Sequence, residues 1–129
     1  MPLFDGLSKR HLRRLAGEAD VVEFAPGRPL VEEGQAGEAM FVVLTGTARV
    51  LRAGRKVGAL IPGDFFGELS ALDGGPRTAS VVSDTPVEVL RLFRHTVHKL
   101  VEEEPALAMG LLEGLARRLR QVQPGTPVV

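Results

Sequence analysis

The chain has 129 residues, with 16 basic against 16 acidic side chains and an apolar fraction of 44%. That length suits a single core, and the balanced charge excludes a global field drawing the protein to nucleic acid or an anionic membrane, so a bound anion must be held locally. The absence of cysteine excludes disulfides, thiolate metal sites and a cysteine nucleophile.

The N-terminus lacks a basic stretch followed by a long apolar run, and no apolar stretch approaches the roughly 20 residues that span a bilayer. A cytoplasmic protein without a membrane segment is expected. Helical spacing opens the chain: Leu12, Leu15, Ala16 and Ala19 share one side of residues 8–19, with Ser8 as N-cap. Lys9, Arg10, Arg13 and Arg14 lie mainly opposite, as a solvated face. Beyond this, 15 glycines and 9 prolines punctuate short Val-, Leu-, Ile- and Phe-rich runs, the pattern of short strands joined by turns.

Residues 21–24 precede a Pro26-Gly27 turn, and residues 29–31 precede a loop carrying Gly34 and Gly37. Met40, Val42 and Leu44 then alternate with Phe41, Val43 and Thr45, so both faces are apolar and the strand is central. Residues 47–52 and 55–60 flank Ala53-Gly54 as a hairpin. Residues 78–82 and 87–92 flank Asp84-Thr85-Pro86 and read as a second hairpin. A short helix over 94–103 ends in Glu102-Glu103-Glu104, acids that favour the N-terminus of a following helix opened by Pro105. There Leu107, Leu111, Leu115 and Leu119 recur every four residues, with Leu112 and Val122 widening the stripe. This stripe either folds back onto the strands or pairs with a second copy as a homodimer. The expected class is mainly β, a roll or barrel with N- and C-terminal helices packed on it. Residues 1–122 form the domain and 123–129 a flexible tail.

Residues 66–81 carry the chemistry. Gly67 to Leu72 reads as a short helical turn whose opening glycine lets the backbone approach a ligand and whose first N–H groups suit an anion. Arg77 follows a Gly-Gly-Pro turn, and its guanidinium matches phosphate with paired donors. Glu68 would repel that phosphate unless it had its own partner, and a sugar hydroxyl supplies one. Phosphate and hydroxyl on one small ligand describe a nucleotide.

The same stretch, Phe-Gly-Glu, a short turn, then Pro-Arg-Thr-Ala-Ser-Val, resembles the phosphate-binding cassette of the cyclic nucleotide-binding domain family. The punctuation at Gly27, Gly34, Gly37 and Gly46 and the Pro62-Gly63-Asp64-Phe65 approach are similar to that family's β-roll, a double-stranded β-helix of jelly-roll type. The resemblance implies a sensor without catalytic activity or cofactor, whose ligand is cyclic AMP or cyclic GMP. Glu68 would hold the ribose 2′-hydroxyl. Arg77 would pair with the exocyclic phosphate oxygens, assisted by backbone N–H groups of Gly67, Leu69 and Ser70 and by Thr78. Val50 and Val57 sit where the family lines its base pocket, although alternation alone also makes them core residues. Arg118 falls at the lid position, with Leu115 and Arg117 as neighbours and a solvated helix face as the plainer reading. The aliphatic pocket favours cyclic AMP. Binding would shift the hinge near residues 93–105 and move the last helix over the base.

Other functions fare less well. A metal-dependent enzyme on a similar barrel needs inward histidines, and residues 21–92 contain none. His11, His95 and His98 show no ligand spacing and read as surface residues, and no serine sits in a nucleophile elbow. A DNA-reading module after the last helix is not expected, since the sequence stops at Val129, so no nucleic acid is expected to bind through this chain. The remaining alternative is a ligand-free scaffold, or a regulatory fragment of a larger channel, kinase or transcription regulator.

Overall fold

The computed structural model describes residues 9–120; the Ser8 cap, Val122 and the tail from 123 lie outside them, as do the side chains of His11 and Leu12. Helix α1 (Lys9–Glu18) leads into strands β1 (Asp20–Phe24), β2 (Pro29–Val31), β3 (Ala39–Thr45), β4 (Ala48–Arg52), β5 (Arg55–Leu60) and β6 (Phe65–Phe66). Helix α2 (Glu68–Asp73), strands β7 (Ser80–Ser83) and β8 (Val87–Phe93), and helices α3 (Arg94–Glu103) and α4 (Pro105–Arg120) complete the order. Two antiparallel sheets, β1-β8-β3-β6 and β2-β7-β4-β5, form a β-roll with the helices at one side.

The two-faced strand explains the layering. Met40 and Val42 point to a core shared with the helices, alongside Leu15, Phe65, Leu92, Leu100, Leu107 and Leu111. Ala39, Phe41 and Val43 point the other way, into the roll, with Leu60, Phe66, Val81 and Val89. Neighbours on β6 therefore serve different cores: Phe65 meets the helices, whereas Phe66 stacks on Phe41 at 4.9 Å between ring centroids. Each such buried side chain stabilises the fold by roughly 1.5–3 kcal/mol.

The β4–β5 hairpin forms as its sequence predicts, with Ala53 and Gly54 both at positive φ, the conformation a tight two-residue turn requires. The second hairpin does not form. Strand β7 pairs with β2 and β4, while β8 pairs with β1 and β3 in the other sheet. Asp84-Thr85-Pro86 is instead a crossover between sheets, held by the Asp84 N–H donating to the Thr47 carbonyl at 2.9 Å. Strand β7 also starts at Ser80 rather than Thr78.

The helices differ from their sequence pattern in detail. Leu15 is buried but Ala16 is exposed, and Arg14 is not on a solvated face: it pairs with Glu103 and, at 3.1 Å, Glu104, tying α1 to the α3–α4 junction. On α4 the leucine stripe divides. Leu107 and Leu111 enter the core, Leu115 is half-buried, and Leu112 and Leu119 are exposed together with Met109. Among the described residues no helix is long and apolar enough to cross a membrane.

Ser83, fully buried, pins the β1–β2 turn. Its Oγ donates to the Ala25 carbonyl at 2.6 Å and accepts from the Arg28 N–H at 2.9 Å. Ser83→Ala leaves both backbone groups without that partner, so urea denaturation should show a loss of about 1–3 kcal/mol with the slope unchanged.

Candidate ligand-binding site

Gly67 joins β6 to α2 with φ 77°, in the left-handed region that glycine adopts without strain. A Cβ here would stand 2.7 Å from Arg77 Nη1 and 2.8 Å from the Ala39 carbonyl oxygen, so the position also demands a bare backbone. The first turn of α2 closes with the Ala71 N–H on the Gly67 carbonyl at 3.2 Å, and the helix ends at Gly74.

Arg77 is held against the loop before β3: its N–H donates to the Gln35 carbonyl at 3.0 Å, and its own carbonyl accepts from the Gly34 N–H at 2.8 Å. The guanidinium is buried, with only 8% of the residue exposed. Nη1 donates to the Ala39 carbonyl at 2.7 Å and to the Gly67 carbonyl at 3.3 Å, and Cζ lies 5.8 Å from the Phe41 ring centroid. Burial pushes the Arg77 guanidinium below its usual range, with the Glu68 carboxylate pulling it back up. Both side-chain hydrogen bonds run through Nη1, leaving donor capacity on Nη2 and Nε.

Glu68 is buried as well, at 5% exposure. Arg118 reaches down from α4, donates through Nη1 to Glu68 Oε1 and through Nη2 to the Phe65 carbonyl, and stacks with Cζ 4.2 Å from the Phe65 ring centroid. Arg118 is thus drawn onto the site rather than lying on a solvated face, whereas Arg117 pairs along α4 with Glu113 at 3.8 Å.

These groups share one cavity of about 900 Å³. Gly67, Glu68, Leu69, Ser70, Arg77, Thr78, Val50, Val57 and Arg118 all line it. A cavity of this size can enclose a nucleotide-sized ligand. Val50 packs against the roll core and also faces the cavity, while Val57 is 55% exposed on its wall. Thr78 is exposed and its carbonyl accepts from Arg52 Nε at 3.3 Å.

The sequence profile of the cyclic nucleotide-binding domain family matches residues 21–104, which include both sheets, α2 and α3. The chain belongs to the cyclic nucleotide-binding domain family. It is 35% identical over 125 residues to the cyclic AMP receptor protein of Thermus thermophilus, covering 93% of this chain and 58% of that protein. It is 30% identical over 128 residues to the cAMP-dependent protein kinase regulatory subunit of Hypocrea atroviridis, covering 99% of this chain and 26% of that subunit. The crystal structure of Thermus thermophilus catabolite activator protein superposes with a TM-score of 0.88 at 36% identity, covering 94% of this chain and 59% of that one. The chain therefore spans between about a quarter and three fifths of the lengths of these relatives. By its family this chain is a binding domain.

Several site residues escape a reading of the sequence. Phe41, beneath Arg77, and the Ala39 carbonyl belong to a strand read only for its apolar faces. Arg52 and Leu119 also line the cavity, as does Leu115, which the sequence offers beside the lid position. Gly37 had a faint signal as a loop glycine: a Cβ there would come within 2.6 Å of Arg77 Nη2. Of the histidines, His95 is exposed and His98 Nε2 is hydrogen-bonded to the Leu72 carbonyl at 3.0 Å.

Proposed function

We propose that this domain binds a cyclic nucleotide, cyclic AMP in preference to cyclic GMP, in the cavity over α2 and passes the event on through α3 and α4. The observation that carries this reading is that two buried residues of opposite charge, Arg77 and Glu68, line the wall of one cavity. Arg77 meets the phosphate oxygens, with the Gly67, Leu69 and Ser70 backbone and Thr78 beside it. Glu68 accepts the ribose 2′-hydroxyl. Arg118 takes one oxygen of that carboxylate, which neutralises Glu68 beside the phosphate and leaves Oε2 for the sugar. Val50 and Val57 receive the base, and their aliphatic character favours adenine. No cofactor is involved.

Arg118 sits on α4, so the helix that closes the site is the same one that leaves it. A ligand binding the closed state about 100-fold more tightly than the open one would bias the two by roughly 2.7 kcal/mol. The outward face of α4, with Met109 and Leu112 exposed, suits a second copy of the chain. Residues 1–122 act as the domain, in the cytoplasm, and DNA is not contacted through them. The lengths of the relatives favour a role as the regulatory segment of a larger kinase, channel or transcription regulator.

Thermal unfolding of the ligand-stripped protein tests this reading. Cyclic AMP at 100 times its Kd should stabilise the fold by about 2.7 kcal/mol, or several degrees, with a smaller shift for cyclic GMP and none for linear 5′-AMP. Equal shifts with linear and cyclic nucleotides would remove the cyclic phosphate from the account.

A further inference from the structure

Gly114 lies in the middle of α4 and is buried, although glycine is a poor residue for a helix interior. What it faces accounts for its presence. A Cβ at 114 would stand 2.5 Å from Phe65 Cζ and 2.6 Å from Cε1, closer than real Cβ contacts come. The ring has little room to retreat: Phe65 is 4% exposed, packs in the helix-side core with Met40 and Val42, and pairs in register with Val42, while Phe66 beside it is stacked on Phe41.

The other side of the contact is Arg118, one helical turn beyond Gly114, which lies on the same Phe65 ring and donates to the Phe65 carbonyl and to Glu68. Phe65 is touched twice by α4, once where the helix backbone meets it directly and once by the arginine that closes the site. Gly114 and Arg118 therefore meet the same neighbour, the Phe65 ring.

We propose that Gly114 is a positioning residue for the ligand site, bringing α4 down onto the Phe65 ring so that Arg118 reaches Glu68. The consequence for affinity rests on the proposed binding of a cyclic nucleotide; the consequence for the helix does not. A methyl group at 114 lifts α4 by roughly 1 Å, enough to forfeit much of a van der Waals contact and to misalign a charge-assisted hydrogen bond. Alanine would otherwise favour the helix, so a loss on Gly114→Ala isolates the contact with Phe65.

The chain lacks cysteine, so spin labels can be placed at Arg120→Cys and Glu32→Cys alone, both at exposed positions on α4 and on the roll. In the ligand-free protein Gly114→Ala should lengthen the distance between them. Its cyclic AMP affinity should fall about tenfold, the effect of a modest overpacking. Adding Phe65→Leu, which makes room for the methyl, should recover most of both changes. In an Arg118→Ala background the same glycine substitution should alter affinity less than about twofold, because the group it positions has gone. If Gly114→Ala folds poorly, Phe65→Leu alone carries the test, and should broaden the label distance and weaken binding. An unchanged label distance in both single variants overturns the proposal, as does an equal affinity loss with and without Arg118. A wild-type protein that binds no cyclic nucleotide overturns the proposed function, while the label distances still decide the role of Gly114 in seating α4.

Discussion

Arg77→Ala should lower cyclic AMP affinity by roughly 30-fold or more while the β-roll remains folded. The protein itself buries the guanidinium, which is held by the Ala39 and Gly67 carbonyls, so its desolvation cost falls on folding. Because burial lowers its pKa, that cost is present at every pH at which the group is protonated, including neutral pH, and an incoming phosphate relieves it. Removing one partner of a desolvated charge pair costs about 2–5 kcal/mol, equivalent to a loss of roughly 30-fold to several thousandfold. Stability should change by much less, since the variant loses two hydrogen bonds but also removes a buried charge. Circular dichroism of the variant checks the fold, and calorimetric titration with cyclic AMP reads the affinity. A variant within threefold of wild type would place the phosphate elsewhere.

Glu68→Gln carries the second large effect. The substitution keeps the shape of a residue that is 5% exposed but removes the charge that pairs with Arg118 and that we propose accepts the ribose hydroxyl. Hydrogen bonds to charged groups contribute about 1.5–3 kcal/mol, so affinity should fall between roughly tenfold and a hundredfold. The ligand offers a matching deletion. Wild-type protein should discriminate against 2′-deoxy cyclic AMP by a similar factor, and Glu68→Gln should bind the two nucleotides almost equally. Independent, additive losses would show that Glu68 acts on Arg118 alone and not on the sugar.

The fold was largely legible in the sequence where periodicity or turn chemistry is local. Met40, Val42, Phe41 and Val43 announce a strand buried on both faces, and the structure puts β3 between β8 and β6 with a different core on each side. Pro105 marks the start of α4, and Ala53-Gly54 marks its hairpin. The failure at Asp84-Thr85-Pro86 has a definite cause: a turn signal says that the chain reverses, not that the two strands then pair. Buried Val81 and Val87 face the roll core from opposite sheets, and their pattern is the same in either topology. Strand β6 has only two residues, too few for any period to register.

The cassette was legible because its residues are close in sequence, from Gly67 to Thr78. Its supports are not. Phe41 lies 36 positions before Arg77, and Arg118, which the resemblance places at the lid, lies 50 positions beyond the Glu68 it contacts; each contact depends on how sheets and helices pack. Gly114 shows the same limit most plainly. In the sequence it is a weak point in a leucine-rich helix, and only the ring of Phe65 gives it a purpose.

The most direct test of the central claim is a calorimetric titration of the wild-type chain, freed of carried-over ligand by unfolding and refolding, with cyclic AMP. Saturable binding of one nucleotide per chain, with a Kd of about micromolar or tighter as expected for a preformed charged site, is the predicted result. No heat and no competition with any bound cyclic nucleotide, from a protein shown to be folded, would contradict it.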